Sequence, residues 1–181
     1  MNSRLLSGLV ILLVTRHHLL AATPTSGPGF CLEAPAGWRF PVESDYRADW
    51  QDFRENIPIP FFLVADLNGD GIPDEAWILL RTEVPGWGIF VWLSAGKDHY
   101  ELIKVEDHTT EDSAQSVCIT LSKAGTYLTA CGKGYWDCSP GEPEKVTVKV
   151  PTICLDYYER ATFLLIWDQV RGGFKAIQMS D

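Results

Sequence analysis

One segment, Asp66-Leu67-Asn68-Gly69-Asp70-Gly71-Ile72-Pro73-Asp74, separates two apolar runs at residues 61–65 and 76–80. It contains Asn-Gly and Asp-Gly pairs, which are strong turn formers between β-strands. Oxygen-bearing side chains stand at its positions one, three, five and nine, a spacing that can turn them all toward one point. Gly71 can adopt the positive φ that a sharp turn needs. The segment therefore predicts a β-hairpin whose loop holds a cation.

The hard oxygen donors of this loop are typical of a calcium site. Calcium takes about six to eight oxygen ligands at about 2.3–2.6 Å. An EF-hand is excluded because Trp77 stands where that motif needs a bidentate Glu, and because the flanking runs predict strands. A polar hairpin turn without a metal is the alternative. The predicted ligands are the main-chain carbonyl of Ile72 and the side chains of Asp66, Asn68, Asp70 and Asp74.

The first residues are typical of an export signal. Arg4 precedes an apolar core at residues 5–14, and Ala22 ends a stretch of small residues suited to cleavage. The core is too short to span a bilayer, so no membrane insertion is expected after signal removal. A periplasmic or secreted protein is then expected. Its parts would be a signal peptide (1–22), a leader and N-terminal segment (23–44) and a single β-rich domain (45–181).

The charge of the exported chain excludes some partners. Removal of Arg4 and Arg16 from 15 basic residues leaves 13 against 24 acidic residues, a net charge of −11. Nucleic acids and anionic lipids bind to basic patches, so neither is an expected partner. With 46% hydrophobic residues, the chain has ample material for a core.

Five cysteines would meet an oxidising environment after export, where disulfides are the default. Cys131 and Cys138 enclose six residues and form the favoured pair, while a pair between Cys118 and Cys131 is the alternative. The other two cysteines are Cys31 and Cys154, and the odd count leaves at least one thiol without a partner in the chain.

The secondary structure is predicted to be mainly β with one helix at residues 45–57. Its apolar stripe consists of Tyr46, Trp50, Phe53 and Ile57, which recur at helical spacing. Strands are predicted at 61–65, 76–80, 89–93, 100–105, 117–121, 146–150, 153–157, 163–167 and 174–179, with a loop at 106–116. The second and third of these are apolar at nearly every position, so both of their faces should be covered. The expected fold is an antiparallel sheet of short strands with the helix packed on it.

Residues 64–74 resemble the calcium motif of FG-GAP and VCBS repeats, which form the blades of integrin-type β-propellers. The resemblance implies a blade-like hairpin with the calcium ligands named above. A closed propeller needs at least four blades of four strands, and this chain has room for two or three and shows one motif. The resemblance therefore implies a small exported relative with a single calcium repeat, not a full propeller.

The loop 131–138 is the candidate contact surface. If Cys131 and Cys138 are bridged, the loop presents Lys133 with the adjacent aromatics Tyr135 and Trp136. Aromatic rings with a polar tip suit recognition of sugars or peptides. The alternative is that the aromatic rings turn inward and cap the core.

No catalytic constellation is visible in the sequence. His99 and His108 are expected to be solvated loop histidines, and Glu111-Asp112 is the kind of pair that a glycosidase could use. The predicted function is a non-enzymatic, calcium-stabilised exported module that binds an unknown protein or carbohydrate. The alternatives are an exported hydrolase acting on envelope carbohydrate or peptide with a structural calcium, and an inhibitor of another exported protein.

Overall fold

The computed structural model describes residues 32–52, 55, 57, 59–96, 99–109 and 113–181. The predicted signal peptide and Cys31 lie outside these residues. The described chain is built from antiparallel strands and short 3-10 turns. Its strands are β1 (Trp38–Arg39), β2 (Phe62–Ala65), β3 (Asp74–Arg81), β4 (Trp87–Ser94), β5 (Tyr100–His108), β6 (Val117–Ser122), β7 (Gly125–Leu128), β8 (Lys145–Val148), β9 (Thr152–Tyr157), β10 (Thr162–Asp168) and β11 (Gly173–Ser180).

The first sheet is centred on the two most apolar strands, β3 and β4. Strand β5 pairs with β4, while β1 and β2 both pair with β3, one near each of its ends. Every residue of β4 is buried, and so is every residue of β3 except Arg81. This burial confirms the expectation that both faces of these strands are covered.

The second sheet has the strand order β11-β10-β9-β6 and packs against one face of the first. The core between them joins buried residues of both sheets, including Ile78, Ile89 and Val91 with Ile119, Leu155 and Leu165. The N–H of Ile119 also donates to the carbonyl of Pro60 at 2.9 Å, which ties the chain before β2 to the edge of β6. The two sheets thus share one hydrophobic core.

The outer face of the first sheet is covered by the N-terminal segment. Trp77, Leu79, Phe90 and Trp92 form a second buried cluster there, beneath half-buried residues that include Leu32, Trp38 and Phe40. The ring of Trp38 meets that of Phe90 edge-on at 4.7 Å between centroids. Burial of both faces explains why β3 and β4 lack the alternating polar pattern of a half-exposed strand.

The prediction of a helix at 45–57 is wrong for the residues that the structure describes. These residues form two 3-10 turns, Glu43–Asp45 and Trp50–Asp52, and no α-helix; Phe53 lies outside the described residues. Tyr46 has an extended backbone (φ −73°, ψ 158°). Just before it, the carboxylate of Asp45 accepts hydrogen bonds from the guanidinium of Arg39 and from the N–H of Val42, both at 2.7 Å. These contacts compete with the helix, whose intrinsic preference is weak in so short a segment.

The predicted strands are confirmed, with shifted ends. Strand β5 runs on to His108, so the start of the predicted 106–116 loop is strand. Two short strands, β1 and β7, were not predicted, because two to four residues give no readable periodicity. The architecture is mainly β, built from antiparallel sheets, and the described residues form no closed propeller.

Candidate functional site

The loop 66–74 joins β2 to β3, as the turn residues predicted, with Ala65 opposite Asp74. The carboxylate of Asp66 lies inside the loop and accepts hydrogen bonds from the backbone N–H groups of Gly69 (2.7 Å), Asp70 (3.1 Å) and Gly71 (3.0 Å). Gly69 and Gly71 have φ of 84° and 86°, a conformation that glycine adopts without strain. Asp66 therefore organises the turn.

The next two oxygen-bearing side chains continue this pattern. Asn68 Oδ1 accepts from the N–H of Asp70 at 2.9 Å, and Asp70 Oδ1 accepts from the N–H of Ile72 at 2.8 Å. Asn68 is half-buried and Asp70 is exposed. The oxygens of these residues thus lie along the tip of the hairpin, within reach of solvent.

Asp74 is different because its side chain is fully buried. One carboxylate oxygen accepts from the N–H of Leu67 and the other from the N–H of Ser94, both at 2.8 Å. Burial raises the pKa of Asp74, and the two N–H donors oppose that rise. Asp74 thereby links the base of the loop to the end of β4.

The loop has the oxygen donors that a hard cation prefers, but the structure does not direct all of them to one point. Asn68, Asp70 and Ile72 lie at the tip. The carboxylate of Asp66 already accepts three backbone N–H groups inside the loop, and that of buried Asp74 accepts two. In the part of the chain that the structure describes, no group of three or more His, Cys, Asp or Glu side chains is arranged to hold a metal. The calcium ligand set stays a prediction from the sequence.

The second loop, 131–138, is closed by a disulfide. Cys131 and Cys138 are bonded with a Cα–Cα distance of 5.0 Å, which confirms the favoured pair. The alternative pair of Cys118 with Cys131 is wrong, since Cys118 lies in β6 as a buried free thiol. The loop begins with a 3-10 turn at Cys131–Lys133, and Gly134 ends that turn with a left-handed backbone conformation (φ 84°).

Several contacts anchor the base of this loop. Thr129 Oγ1 donates to the carbonyl of Pro143 at 2.8 Å and accepts from the N–H of Gly132 at 3.1 Å. A Cβ on Gly132 would lie 1.9 Å from the carbonyl oxygen of Glu144, so only glycine fits here. The loop is held against residues 143–144 by covalent, polar and steric constraints together.

An open cleft of about 590 Å³ lies beside the loop. Trp136 is half-buried at its edge, and its indole N–H points at the carboxylate of Glu142, with N–O distances of 3.3 and 3.4 Å. The same carboxylate accepts from the N–H of Ser139 at 3.0 Å. The cleft is lined by Cys131, Gly134, Trp136, Asp137, Cys138 and Glu144.

The three residues predicted to face a ligand take different positions. Tyr135 is 52% exposed, and Trp136 lines the cleft. Lys133 instead turns its ammonium group onto the carbonyl of Met179 in β11, at 2.6 Å. The structure thus brings the two aromatics to the surface and uses the lysine to fasten the loop to the second sheet.

Sequence reasoning did not single out the carboxylates of Asp137, Glu142 and Glu144. They follow Trp136 by one, six and eight positions, and Glu142 and Glu144 lie beyond the turn at Pro140-Gly141. That Pro-Gly turn, which begins two residues after Cys138, was the available signal that Glu142 and Glu144 fold back beside the aromatics.

The other two cysteines that the structure describes, Cys118 and Cys154, are free thiols on the second sheet. Cys118 in β6 pairs across the sheet with Asp156 in β9, and Cys154 pairs with Thr120, so the two cysteines are diagonal neighbours. Burial raises the pKa of each thiol to about 11. Such thiols are poor nucleophiles at neutral pH, which points to a structural role.

The expectation of a solvated loop histidine is wrong for His108. It ends β5, and its ring stacks on that of buried Trp87 at 4.0 Å between centroids. Its Nε2 lies 3.4 Å from the hydroxyl of Tyr157 and 3.5 Å from a carboxylate oxygen of Glu106. His99 is exposed in the turn before β5, as expected. The Glu111-Asp112 pair lies outside the described residues.

A second open cleft, of about 460 Å³, lies between the 3-10 turn before β6 and the turn after β9. Its lining mixes both charges: Arg47, Ser113, Gln115, Ser116, Tyr158, Glu159 and Arg160. Arg47 is paired with Asp49 at 2.6 Å, and its guanidinium lies 4.8 Å from the centre of the Tyr158 ring. The charge of Arg47 is thus already balanced within the protein.

Comparison with known proteins does not identify a family for this chain. No known protein family, no curated protein and no solved structure matches the chain. The likeness of residues 64–74 to FG-GAP and VCBS repeats therefore stays a resemblance of sequence. None of the helices that the structure describes is long and apolar enough to cross a membrane.

Proposed function

We propose that this protein is an exported, non-enzymatic binding module that calcium stabilises and that contacts its partner through the loop 131–138. The observation that carries the proposal is a loop closed by a disulfide that presents the exposed Tyr135 and the half-buried Trp136 beside an open cleft. A contact surface held rigid before binding loses little entropy when the partner docks. Tyr and Trp are also the residue types that dominate binding energy at interfaces.

Export is supported by two independent features. The N-terminal sequence has the layout of a signal peptide. The Cys131–Cys138 bond belongs to an oxidising compartment, because cytosolic thiols are kept reduced. The proposed location is the periplasm or the extracellular medium.

Calcium is proposed as a structural ion at the tip of the β2–β3 hairpin. The support is the spacing of Asp66, Asn68 and Asp70, of which Asn68 and Asp70 carry their oxygens at the tip of the hairpin. A cation there would offset the repulsion between the two carboxylates. Extracellular calcium modules bind with Kd of about 10⁻⁴–10⁻³ M, which suits a calcium-rich environment.

Thermal unfolding of the oxidised mature protein, in calcium and in chelator, tests the structural ion. Calcium at about 100 times its Kd should add about 2.7 kcal/mol to the free energy of unfolding, and the melting temperature should rise accordingly. Asp70→Ala removes one exposed oxygen donor and should abolish the rise. Identical melting in calcium, in chelator and in the variant would mean that the loop is only a polar turn.

Binding to arrays of short peptides and envelope oligosaccharides tests the contact surface. The double variant Tyr135→Ala with Trp136→Ala should lose binding that the natural protein shows. Trp50→Ala, which removes a half-buried aromatic outside the loop, is the control and should retain it. Equal binding by the double variant and the natural protein would contradict the proposed surface.

The inhibitor hypothesis uses the same loop. A short, stapled segment with an exposed Tyr135 could enter the cleft of another exported protein, as rigid inhibitory loops do. The protein would then bind a folded partner protein and none of the short peptides or sugars on the arrays.

A further inference from the structure

We propose that the cleft beside the loop 131–138 binds the arginine side chain of a partner peptide. The inference rests on the proposed function, because it names the ligand of the same contact surface. It starts from the residues that meet at the cleft: an aromatic ring, two lining carboxylates and a third carboxylate that orients the ring.

The size of the cleft suits a single side chain with its neighbouring peptide groups. Its volume of about 590 Å³ lies within the range of about 300–1,000 Å³ typical of ligand pockets. The disulfide and the close approach of Gly132 to Glu144 fix its walls. A ligand therefore meets a site that needs little rearrangement.

The charge of the lining selects a cation. Asp137 and Glu144 line the cleft, and a carboxylate oxygen of Glu142 lies 3.3 Å from the indole nitrogen of Trp136. Within the described part of the chain, none of these three carboxylates takes part in an ion pair with Lys, Arg or His. Lys133, the cation within the loop, is turned away onto the carbonyl of Met179. The negative charge of the cleft is thus available to a partner.

The aromatic component favours arginine over lysine. A guanidinium group can stack on the ring of Trp or Tyr while its N–H groups bond to carboxylates in a planar, two-pronged arrangement. The ring of Trp136 is held by Glu142 through its indole N–H, and Tyr135 stands next to it with ring centroids 6.5 Å apart. An ammonium group has the charge but not the plane, so it should bind more weakly.

Fluorescence anisotropy with short, end-capped, labelled peptides tests the inference. Three peptides differ at one central position, which carries arginine, lysine or citrulline, the uncharged analogue of arginine. The arginine peptide should bind best and the citrulline peptide at least about tenfold more weakly, since a charged hydrogen-bond partner is lost. Binding should weaken as salt is added, because salt screens the exposed charges.

A matched pair of variants locates the site. Asp137→Asn with Glu144→Gln should lower the affinity for the arginine peptide at least about tenfold. Glu33→Gln with Glu101→Gln changes the net charge equally at exposed positions that do not line the cleft, and should leave the affinity within about twofold. All four positions are exposed, so thermal melting should show that every variant is folded.

Three outcomes would overturn the inference. The first is equal binding of the arginine and citrulline peptides, and the second is equal loss of affinity in both double variants. The third is that no peptide binds. If oligosaccharides or other peptides still bind in a manner that depends on Tyr135 and Trp136, the contact surface stands and only its ligand was wrong. If nothing binds in that manner, the proposed function fails as well.

Discussion

The loops 66–74 and 131–138 are both short and polar, and they are stabilised in different ways. The first is shaped mostly from within, by hydrogen bonds that side-chain oxygens accept from backbone N–H groups two to five residues away. The second is held from outside, by a disulfide and by contacts to residues 143–144 and to β11. The difference explains why the first could be recognised as a hairpin from its sequence, whereas the orientation of side chains on the second could not.

Asp74 is the point at which the first loop also depends on distant contacts. Its carboxylate reaches from Leu67 to Ser94, which is 20 residues away. A loop that looks local is thereby fastened to β4, just as Lys133 fastens the other loop to β11. Each loop has one fully or partly buried polar anchor and an exposed rim, and function is proposed for the rim.

The largest effect is expected at the anchor of the first loop. Asp74→Ala leaves two buried N–H groups without acceptors, each costing about 1–3 kcal/mol, so the free energy of unfolding should fall by about 2–6 kcal/mol. Urea unfolding in chelator measures it. Asp70→Ala, at the exposed tip of the same loop, should cost less than about 1.5 kcal/mol. Equal losses would show that the anchor and the tip do not differ.

Removal of the disulfide should have the next largest effect. Cys131→Ser with Cys138→Ser opens a loop whose ends are seven positions apart, and the chain-entropy model gives a loss of about 2–3 kcal/mol. Chemical reduction of the natural protein should shift the urea midpoint equally. The calcium-dependent rise in melting temperature should persist in the variant, since the two loops are stabilised separately. Its disappearance would show that the loops are coupled.

The smallest effect is expected at Lys133. Lys133→Met removes one hydrogen bond to the carbonyl of Met179 and should cost about 0.5–1.5 kcal/mol. Lys175→Met, at an exposed position of β11, is the matched control and should change stability by less than about 0.5 kcal/mol. Affinity for the arginine peptide should not fall in either variant. A loss confined to Lys133→Met would restore the sequence-based prediction that this lysine faces the ligand.

Much of the strand framework could be predicted because hydrophobic patterning depends on neighbouring residues. The unbroken apolar runs in β3 and β4 indicated strands covered on both faces, and the Asn-Gly and Asp-Gly pairs indicated the hairpin between β2 and β3. The helix at 45–57 failed for the opposite reason. Its stripe was real, but Tyr46 packs edge-on against Phe61 at 5.3 Å between centroids, a contact that needs no helix.

In the candidate site, too, features that depend on neighbouring residues could be predicted and features that depend on distant residues could not. The pairing of Cys131 with Cys138 was favoured by their short separation, which a six-residue loop can close. That Lys133 bonds to the carbonyl of Met179 in β11 and that His108 stacks on Trp87 both depend on strands distant in sequence. No local pattern encodes such contacts.

The sequence by itself determined the mainly β class, the two loops, the favoured disulfide and the acidic character of the surface, since each follows from composition or from spacings of a few residues. Only the tertiary structure decided how the sheets stack, what covers the outer face of the first sheet and where the ammonium group of Lys133 binds. These depend on long-range packing, in which the burial of apolar area outweighs local preference. Trp38 shows this plainly, because it finds its place over Phe90 only once β1 has paired with β3.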